Sequence, residues 1–273
     1  MQKKFSVLMS LYIKEKTEYA KACFDSLLVQ TVPATQWVIV EDGPLSREMY
    51  ALLQTYEESY PGLIKRVVLP KNCGLGVALR EGVEACSYNL IARMDTDDIA
   101  VPDRFETQLA MFASDGELDI CGGHILEFDE SPEKPVAQRR VPLTHEEIKA
   151  YQKRRDGFNH VTVMFKKEAV LKAGNYRPCS LMEDTLLWVN MIRSGAKCAN
   201  IDKDLVYVRT GADMFRRRGG FAYFKKYKEG RRQIYETGFI SRWDYFYTLF
   251  VRFCVAMVPN GLRKMIYIRL LRK

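Results

Sequence analysis

Asp95, Asp97 and Asp98 crowd into the stretch ARMDTDDIAVPDRF (92–105), directly after an apolar run. Carboxylates packed this closely repel one another and lose hydration at the end of a buried strand, so the cluster calls for a positive partner. Side chains alternate along an extended strand, and D-x-D spacing therefore puts Asp95 and Asp97 on one face. Two carboxylates on one face can hold a hard divalent ion while leaving water positions open to substrate phosphates. The plainer use of such residues is to cap the helix that Pro102 opens or to form an Asx turn, and Asp98 suits that use.

Other residues carry chemistry at comparable positions. VEDGP (40–44) ends an apolar run with Glu41 and Asp42. A strand-end carboxylate can accept from a nucleobase N–H or a ribose hydroxyl, or simply bond its own backbone in a turn. NCGLGVALREG (72–82) places Asn72 and Gly74 before a helical pattern, where backbone N–H groups can approach phosphate, with Arg80 as a cation for a diphosphate. It matches neither G-x-x-x-x-G-K-[ST] nor G-x-G-x-x-G, which disfavours a P-loop kinase and a nicotinamide enzyme. LMEDTLLW (181–188) opens a helix with Glu183 and Asp184. Acids favour helix N-termini through the dipole, and a carboxylate there can also serve as a general base. Of the three histidines, His145 reads as surface and His124 follows two glycines. His160 precedes an apolar run and is the one candidate for a metal or acceptor contact.

These groups need a frame. FSVLM (5–9), WVIV (37–40), RVVL (66–69) and NLIARM (89–94) read as buried strands. Between them fall helical spacings: Ala20, Cys23, Phe24, Leu27 and Leu28; Leu52, Leu53 and Tyr56; Leu75, Ala78, Leu79 and Gly82; then Phe105, Leu109 and Phe112. Strands alternating with helices predict an α/β fold with a mostly parallel, Rossmann-like sheet flanked by helices. Ligands of such sheets bind beyond the carboxyl ends of strands. Ser10 and Tyr12, Glu41 and Asp42, and Asp95 to Asp98 all fall at such ends. After about Asp119 the alternation weakens. DICGGHILEF and HVTVMF read as strands, THEEIKAYQKRR as a helix opened by Thr144, and EDTLLWVNMIRSG as a helix closed by Gly195.

The 273 residues, 47% hydrophobic, can build one large domain with an appendage. The amino terminus does not read as a secretory signal, and no apolar run is long enough to span a membrane. Seven scattered cysteines without C-x-x-C argue against a disulfide framework or zinc site and for a reducing cytosol. The net charge of +8 is unevenly spread: residues 205–273 hold 16 Lys+Arg against 4 Asp+Glu, leaving 26 against 30 in residues 1–204. The basic excess of +12 in the tail points to a partner of its own.

In order along residues 5–210, the chain resembles the inverting nucleotide-sugar glycosyltransferases of family 2, which have the GT-A fold. SVLMSLY looks like the family's opening strand and S-x-Y turn, VIVEDGP like V-V-D-D-G-S, and NCGLGVAL like N-x-G-L-x-x-A. ARMDTDD with PDRF looks like the D-x-D region and P-x-R-L helix, and EDTLLWVNMIRSG like E-D-x-x-L-x-x-R-x-x-x-x-G. The whole chain, including RVPLTHEEI, FNHVTVMF and MFRRRGG, is similar to bacterial exopolysaccharide transferases of the amylovoran-biosynthesis type. The resemblance implies that Asp42 contacts the base, with Ser10 and Tyr12 shaping its pocket. It implies that Asp97 binds Mn²⁺ or Mg²⁺ with Asp95 on ribose or metal, and that Asp184 is the catalytic base with Glu183 on the acceptor side. Departures are Ile13 for a frequent Asn, Glu41 for the first Asp, and Leu79–Arg80 for Arg–Asn. The processive enzymes' Q-x-x-R-W is absent, which implies transfer of a single sugar. The expected domains are 1–210, a GT-A domain with a nucleotide half (1–118) and an acceptor half (119–210), and a basic amphipathic segment, 211–273.

RWDYFYTLFVRFCVAMVPNGLRKMIYIRLLRK (242–273) mixes aromatics with cations. Its longest apolar run is too short to span but suits a helix lying in the membrane interface. The expected partners are a UDP-sugar, a lipid-linked or oligosaccharide acceptor and an anionic membrane surface, at the cytoplasmic face of a bacterial membrane; the apolar content argues against nucleic acid. An ordinary C-terminal helical pair is the alternative. Two other activities compete. Nucleotidyl transfer to a sugar phosphate would want a glycine-rich, Lys-containing loop after the first strand, where SLYIKEK lacks glycine. A non-catalytic membrane scaffold would tolerate Asp97→Ala.

Overall fold

A computed structural model describes residues 4–210, 219–259 and 261. The sequence readings that fall on 211–218, 260 and 262–273, including most of MFRRRGG and the end of the tail, concern residues outside the described ones.

The chain runs β1 (Phe5–Leu11), α1 (Thr17–Leu28), β2 (Gln36–Glu41), α2 (Arg47–Ser59), β3 (Ile64–Val68), α3 (Leu75–Ala85) and β4 (Leu90–Arg93). These are the alternating elements that the apolar spacing predicts. The strands pair in parallel: β1 with β2 and β4, and β2 with β3. Period-two alternation sends Phe5, Val7 and Met9 to one face of the sheet, under α1, α2 and α4 (Arg104–Ser114). Leu8, Val38, Val40 and Ile91 face the other side, under α3 and, further along the chain, α6 (Lys167–Lys172) and α7 (Glu183–Arg193). Both faces of the strands are therefore apolar, as a doubly covered sheet requires.

The second half departs from simple alternation. β5 (Ile99–Ala100), β6 (Leu118–Phe128), β7 (Ala137–Arg139), β8 (Met164–Lys166) and β9 (Lys197–Arg209) extend the sheet to nine described strands, ordered β3-β2-β1-β4-β8-β6-β9-β5 with β7 on β6. β8 enters antiparallel to both β4 and β6, so the sheet is parallel at one side and mixed at the other. HVTVMF is not one strand. His160–Thr162 form a 3-10 turn, and only Met164–Lys166 pair. The turn is held by Thr162 and Asn159, which bond to Gly123 of β6. Thr144 caps α5 (His145–Gln152) with a full capping box through Glu147, as read.

α8 (Gly220–Glu236) and α9 (Arg242–Met257) pack together and on the outer face of α7, with Met182, Leu186, Val189, Tyr227, Ile234 and Leu249 in a third apolar cluster. Among the described residues no helix is long and apolar enough to cross a membrane. All seven cysteines are free thiols, five of them buried.

Candidate active site

The carboxyl ends of β2, β1 and β4 lie side by side, because Leu11 pairs with Glu41 and Leu8 with Arg93. This register collects Ser10, Tyr12, Glu41, Asp42 and Asp95–Asp98 at one edge of the sheet. Asp42 is nearly buried, and its two carboxylate oxygens accept from the backbone N–H groups of Cys73 (2.6 Å) and Gly74 (2.9 Å). The Asn72 amide donates to the Asp42 carbonyl at 3.3 Å. Asp42 thus clamps the glycine-containing loop against the strand ends. Glu41 accepts from Arg66 on Oε1, while its buried Oε2 has no hydrogen-bond partner. Arg80 pairs with its neighbour Glu81 at 2.8 Å.

One oxygen each from Asp95, Asp97 and Asp98 lies within 4.8 Å of the others. Among the described residues this is the one group of three acidic, His or Cys side chains able to share an ion. An all-carboxylate donor set is hard and suits Mg²⁺ or Mn²⁺. Burial, then the charge of Asp95, raises the Asp97 carboxyl to about 6. Burial, then Asp97 and Asp95, pushes Asp98 well above the carboxylate range. The group carries repulsion that a divalent ion would relieve, so these residues fit a metal. His160 is not part of the group.

Some positive charge is built in. Arg93, in β4 and almost fully buried, holds Asp95 with both terminal nitrogens. Burial works against its charge, but Asp95 outweighs burial and the guanidinium pKa is raised. Arg104, also buried, donates to the Arg93 carbonyl (2.7 Å) and to the Met94 sulfur, fixing the end of β4. Arg209, at the end of β9, caps the cluster: its N–H donates to Asp98 (2.8 Å) and its side chain to the Asp97 carbonyl (3.2 Å). Its guanidinium lies 3.9 Å from the Tyr19 ring centroid. Asp98 therefore ties the end of β9 to the cluster instead of capping α4, whose N-cap residue is Asp103.

Glu183 and Asp184 occupy the first turn of α7. A Cβ on Gly76 would sit 3.1 Å from the Glu183 Cβ and 3.2 Å from the Arg177 carbonyl, tighter than ordinary contact, so the missing side chain eases the close approach of α3 to α7. Asp184, 22% exposed, has Oδ2 at 3.8 Å from His160 Nδ1. His160 Nε2 pairs with the Tyr176 hydroxyl at 2.9 Å. Burial, then Arg93, pushes His160 far below its usual pKa and leaves it neutral. Burial first, then the charges of Asp156 and Glu183, raises Asp184 to about 8. Burial also raises Glu183. Thr185 Oγ bridges the two acids: it donates to Asp156 Oδ1 and lies 3.4 Å from Asp184 Oδ1.

Sequence reasoning did not single out Arg93, Arg209, Tyr176 or Asp156. Arg93 carried a signal: a cation inside the apolar run NLIARM must find an acid when that strand is buried. The other three are brought in by β9 and by the loops after α5 and α6, whose paths the local pattern does not reveal.

A metal-suited carboxylate group facing a basic carboxylate at the edge of a mixed α/β sheet is the arrangement of a GT-A glycosyltransferase. The sequence model of the family described as Glycosyl transferase family 2 matches residues 6–174. The chain belongs to that family. It is 38% identical over 266 residues to the amylovoran biosynthesis glycosyltransferase AmsE of Erwinia amylovora, covering 96% of this chain and 97% of that one. It is 32% identical over 270 residues to the Escherichia coli UDP-Gal:alpha-D-GlcNAc-diphosphoundecaprenol beta-1,3-galactosyltransferase, covering 99% and 97%. Among solved structures it resembles the mannosyltransferase PcManGT of Pyrobaculum calidifontis, in complex with GDP-Man and Mn²⁺, with a TM-score of 0.63 at 12% identity, over 96% of this chain and 72% of that one. The chain is a glycosyltransferase, which sets aside the nucleotidyl-transfer and scaffold readings.

Proposed function

We propose that the protein moves one sugar from a UDP-sugar to a hydroxyl of a lipid-linked saccharide, with inversion at the anomeric carbon, during synthesis of a bacterial surface polysaccharide. The carrying observation is the pairing of two acidic groups with different environments: the aspartates at 95, 97 and 98, partly neutralised by Arg93 and Arg209, and Asp184, held protonatable near neutral pH. The donor nucleotide and the lipid-linked acceptor are taken from the printed activity of the E. coli relative.

Asp97, with Asp95 and Asp98, would hold Mn²⁺ or Mg²⁺. When bound, such an ion neutralises charge developing on a departing diphosphate. Arg93 keeps Asp95 oriented by a two-point contact. Asp42 holds the 72–74 loop at the donor pocket, and Glu41 Oε2, unpaired and buried, is an acceptor available to the base. The acceptor hydroxyl attacks the anomeric carbon as the bond from that carbon to the diphosphate oxygen breaks, and its proton passes to Asp184. Asp184's raised basicity suits it to this role. His160 and Tyr176, both uncharged, line the acceptor side without competing for the proton. One displacement requires no enzymic nucleophile. On this reading the reaction runs at the inner face of the cytoplasmic membrane, where a lipid-linked acceptor would be presented.

Transfer from UDP-sugars to a synthetic lipid diphosphate saccharide tests this reading. Asp184→Asn should abolish transfer and keep UDP binding, whereas Asp97→Ala should lose the metal-stimulated part of UDP binding. Transfer by Asp184→Asn at the wild-type rate would overturn it.

A further inference from the structure

α9 carries Trp243, Phe246, Phe250, Phe253 and Met257 at spacings of three and four, on one face, each between 41% and 69% exposed. Its opposite face is used up internally, with Asp244, Thr248, Leu249 and Ala256 buried. The stripe continues onto α8, because Phe253 meets Phe224 edge-on (5.2 Å between centroids) and Phe224 meets Phe221. Five large apolar side chains in one row on a soluble surface mark a binding face. A helix partner from another protein would favour aliphatic residues at such spacing. Trp and Phe flanked by cations suit the headgroup layer of a bilayer instead.

Charge agrees with that choice. Lys225, Lys226 and Lys228 on α8, and Arg242 on α9, belong to the segment with an excess of +12. The acids of these helices are engaged: Asp244 with Arg154 and Ser241, Glu229 with Ser180, and Glu236 with Arg232. The helical pair is also mounted firmly on the candidate active site. A Cβ on Gly230 would lie 2.4 Å from the Ser180 carbonyl, so α8 sits directly on the segment leading into Glu183 and Asp184. Leu181, inside that segment, takes a left-handed φ of 61°. Arg231 joins α9 through Thr248 (2.9 Å) and reaches the Lys153 carbonyl, while Arg154 holds Asp244 at 2.6 Å. These contacts grip the loop that carries Asp156.

We infer that the Trp243–Met257 stripe, extended by Phe221 and Phe224, docks into the headgroup layer of an anionic phospholipid bilayer and fixes the attitude of the α7 cleft to that surface. The purpose of docking rests on the proposed lipid-linked acceptor; the docking itself does not.

The test uses the full chain and vesicles of phosphatidylcholine alone or mixed with phosphatidylglycerol. Trp37 and Trp188 are fully buried, so Trp243 is the tryptophan that can report insertion. The mixed vesicles should shift tryptophan emission to the blue, and brominated acyl chains should quench it. Phe246→Ser with Phe250→Ser should weaken vesicle partitioning by at least about tenfold, as expected when two aromatic side chains are lost from an interface. Metal-dependent hydrolysis of the UDP-sugar, which needs neither acceptor nor membrane, should be unchanged in that double variant. Binding without quenching, or partitioning unchanged in the double variant, overturns the inference. So does loss of a dimer, rather than of vesicle binding, in the double variant. Normal docking with no transfer to a lipid-linked acceptor would instead sink the acceptor reading alone.

Discussion

In the proposed reaction Asp184 is the proton acceptor, and its neighbours set its basicity. Its carboxyl sits near 8 because burial, Asp156 and Glu183 all disfavour the charged form. A base must be ionised to accept a proton, so transfer should rise with pH up to about 8. Asp156→Asn removes the second cause of the shift and keeps an acceptor for Thr185. The acid limb of the pH–rate profile should then move to lower pH, whereas purely structural damage would lower the plateau and leave the limb in place. Asp184→Asn should cost about 10²–10⁴-fold in transfer, the usual worth of general base catalysis. The same shift has a consequence for stability. Between the ordinary carboxyl pKa and about 8 the folded state keeps a proton that the unfolded chain releases, so stability declines as pH rises through that window. Asp184→Asn lacks this term. Its Tm should match the wild type at acidic pH and exceed it increasingly toward pH 8, followed by scanning calorimetry across the range.

The elements decide whether those residues meet, and they differ in how plainly the sequence announces them. β1 to β4 and α1 to α4 were legible because apolar residues recur with period two in strands buried on both faces and with helical spacing between them. Their order alone places Ser10, Glu41, Asp42 and the aspartates at one edge. β9 was not legible: KCANIDKDLVYVR mixes acids and bases, and it becomes a strand because β6 offers it a long parallel edge. Arg209 therefore reaches Asp98 from far along the chain, a contact with no local sequence mark. His160 looked like the opening of a strand, but Asn159 and Thr162 bond to β6 and curl it into a turn, which brings its ring to Asp184. Gly76 lies in the first turn of α3, where its lack of a side chain serves the contact between α3 and α7 and not an approach to phosphate. Gly76→Ala should therefore separate α3 from α7, destabilise the fold by about 1–3 kcal/mol and lower transfer more than it lowers UDP binding. Chemical denaturation and parallel binding and rate measurements would separate these effects.

At the scale of the whole molecule, the sheet edge gathers the carboxylates, and the two helices at the carboxyl end pack against α7 and the segment leading into it. Their salt bridge and hydrogen bonds to the loop after α5 make the basic segment more than an appendage to the fold. Binding to the native state raises the melting temperature. Because carboxylates and diphosphate would share one ion, Mn²⁺ and UDP together should raise Tm by more than the sum of their separate effects. Asp97→Ala should remove that surplus, and so should a chelator. The most direct test is the structure of the protein with UDP and Mn²⁺, read from the anomalous signal of the metal. One manganese peak is expected within about 2.0–2.6 Å of an Asp97 oxygen, the span of hard divalent ions on oxygen ligands, with the diphosphate bound to it and Asp184 outside its coordination. A manganese ion held elsewhere, or diphosphate bound in the cleft with Asp97 outside its coordination, would contradict it.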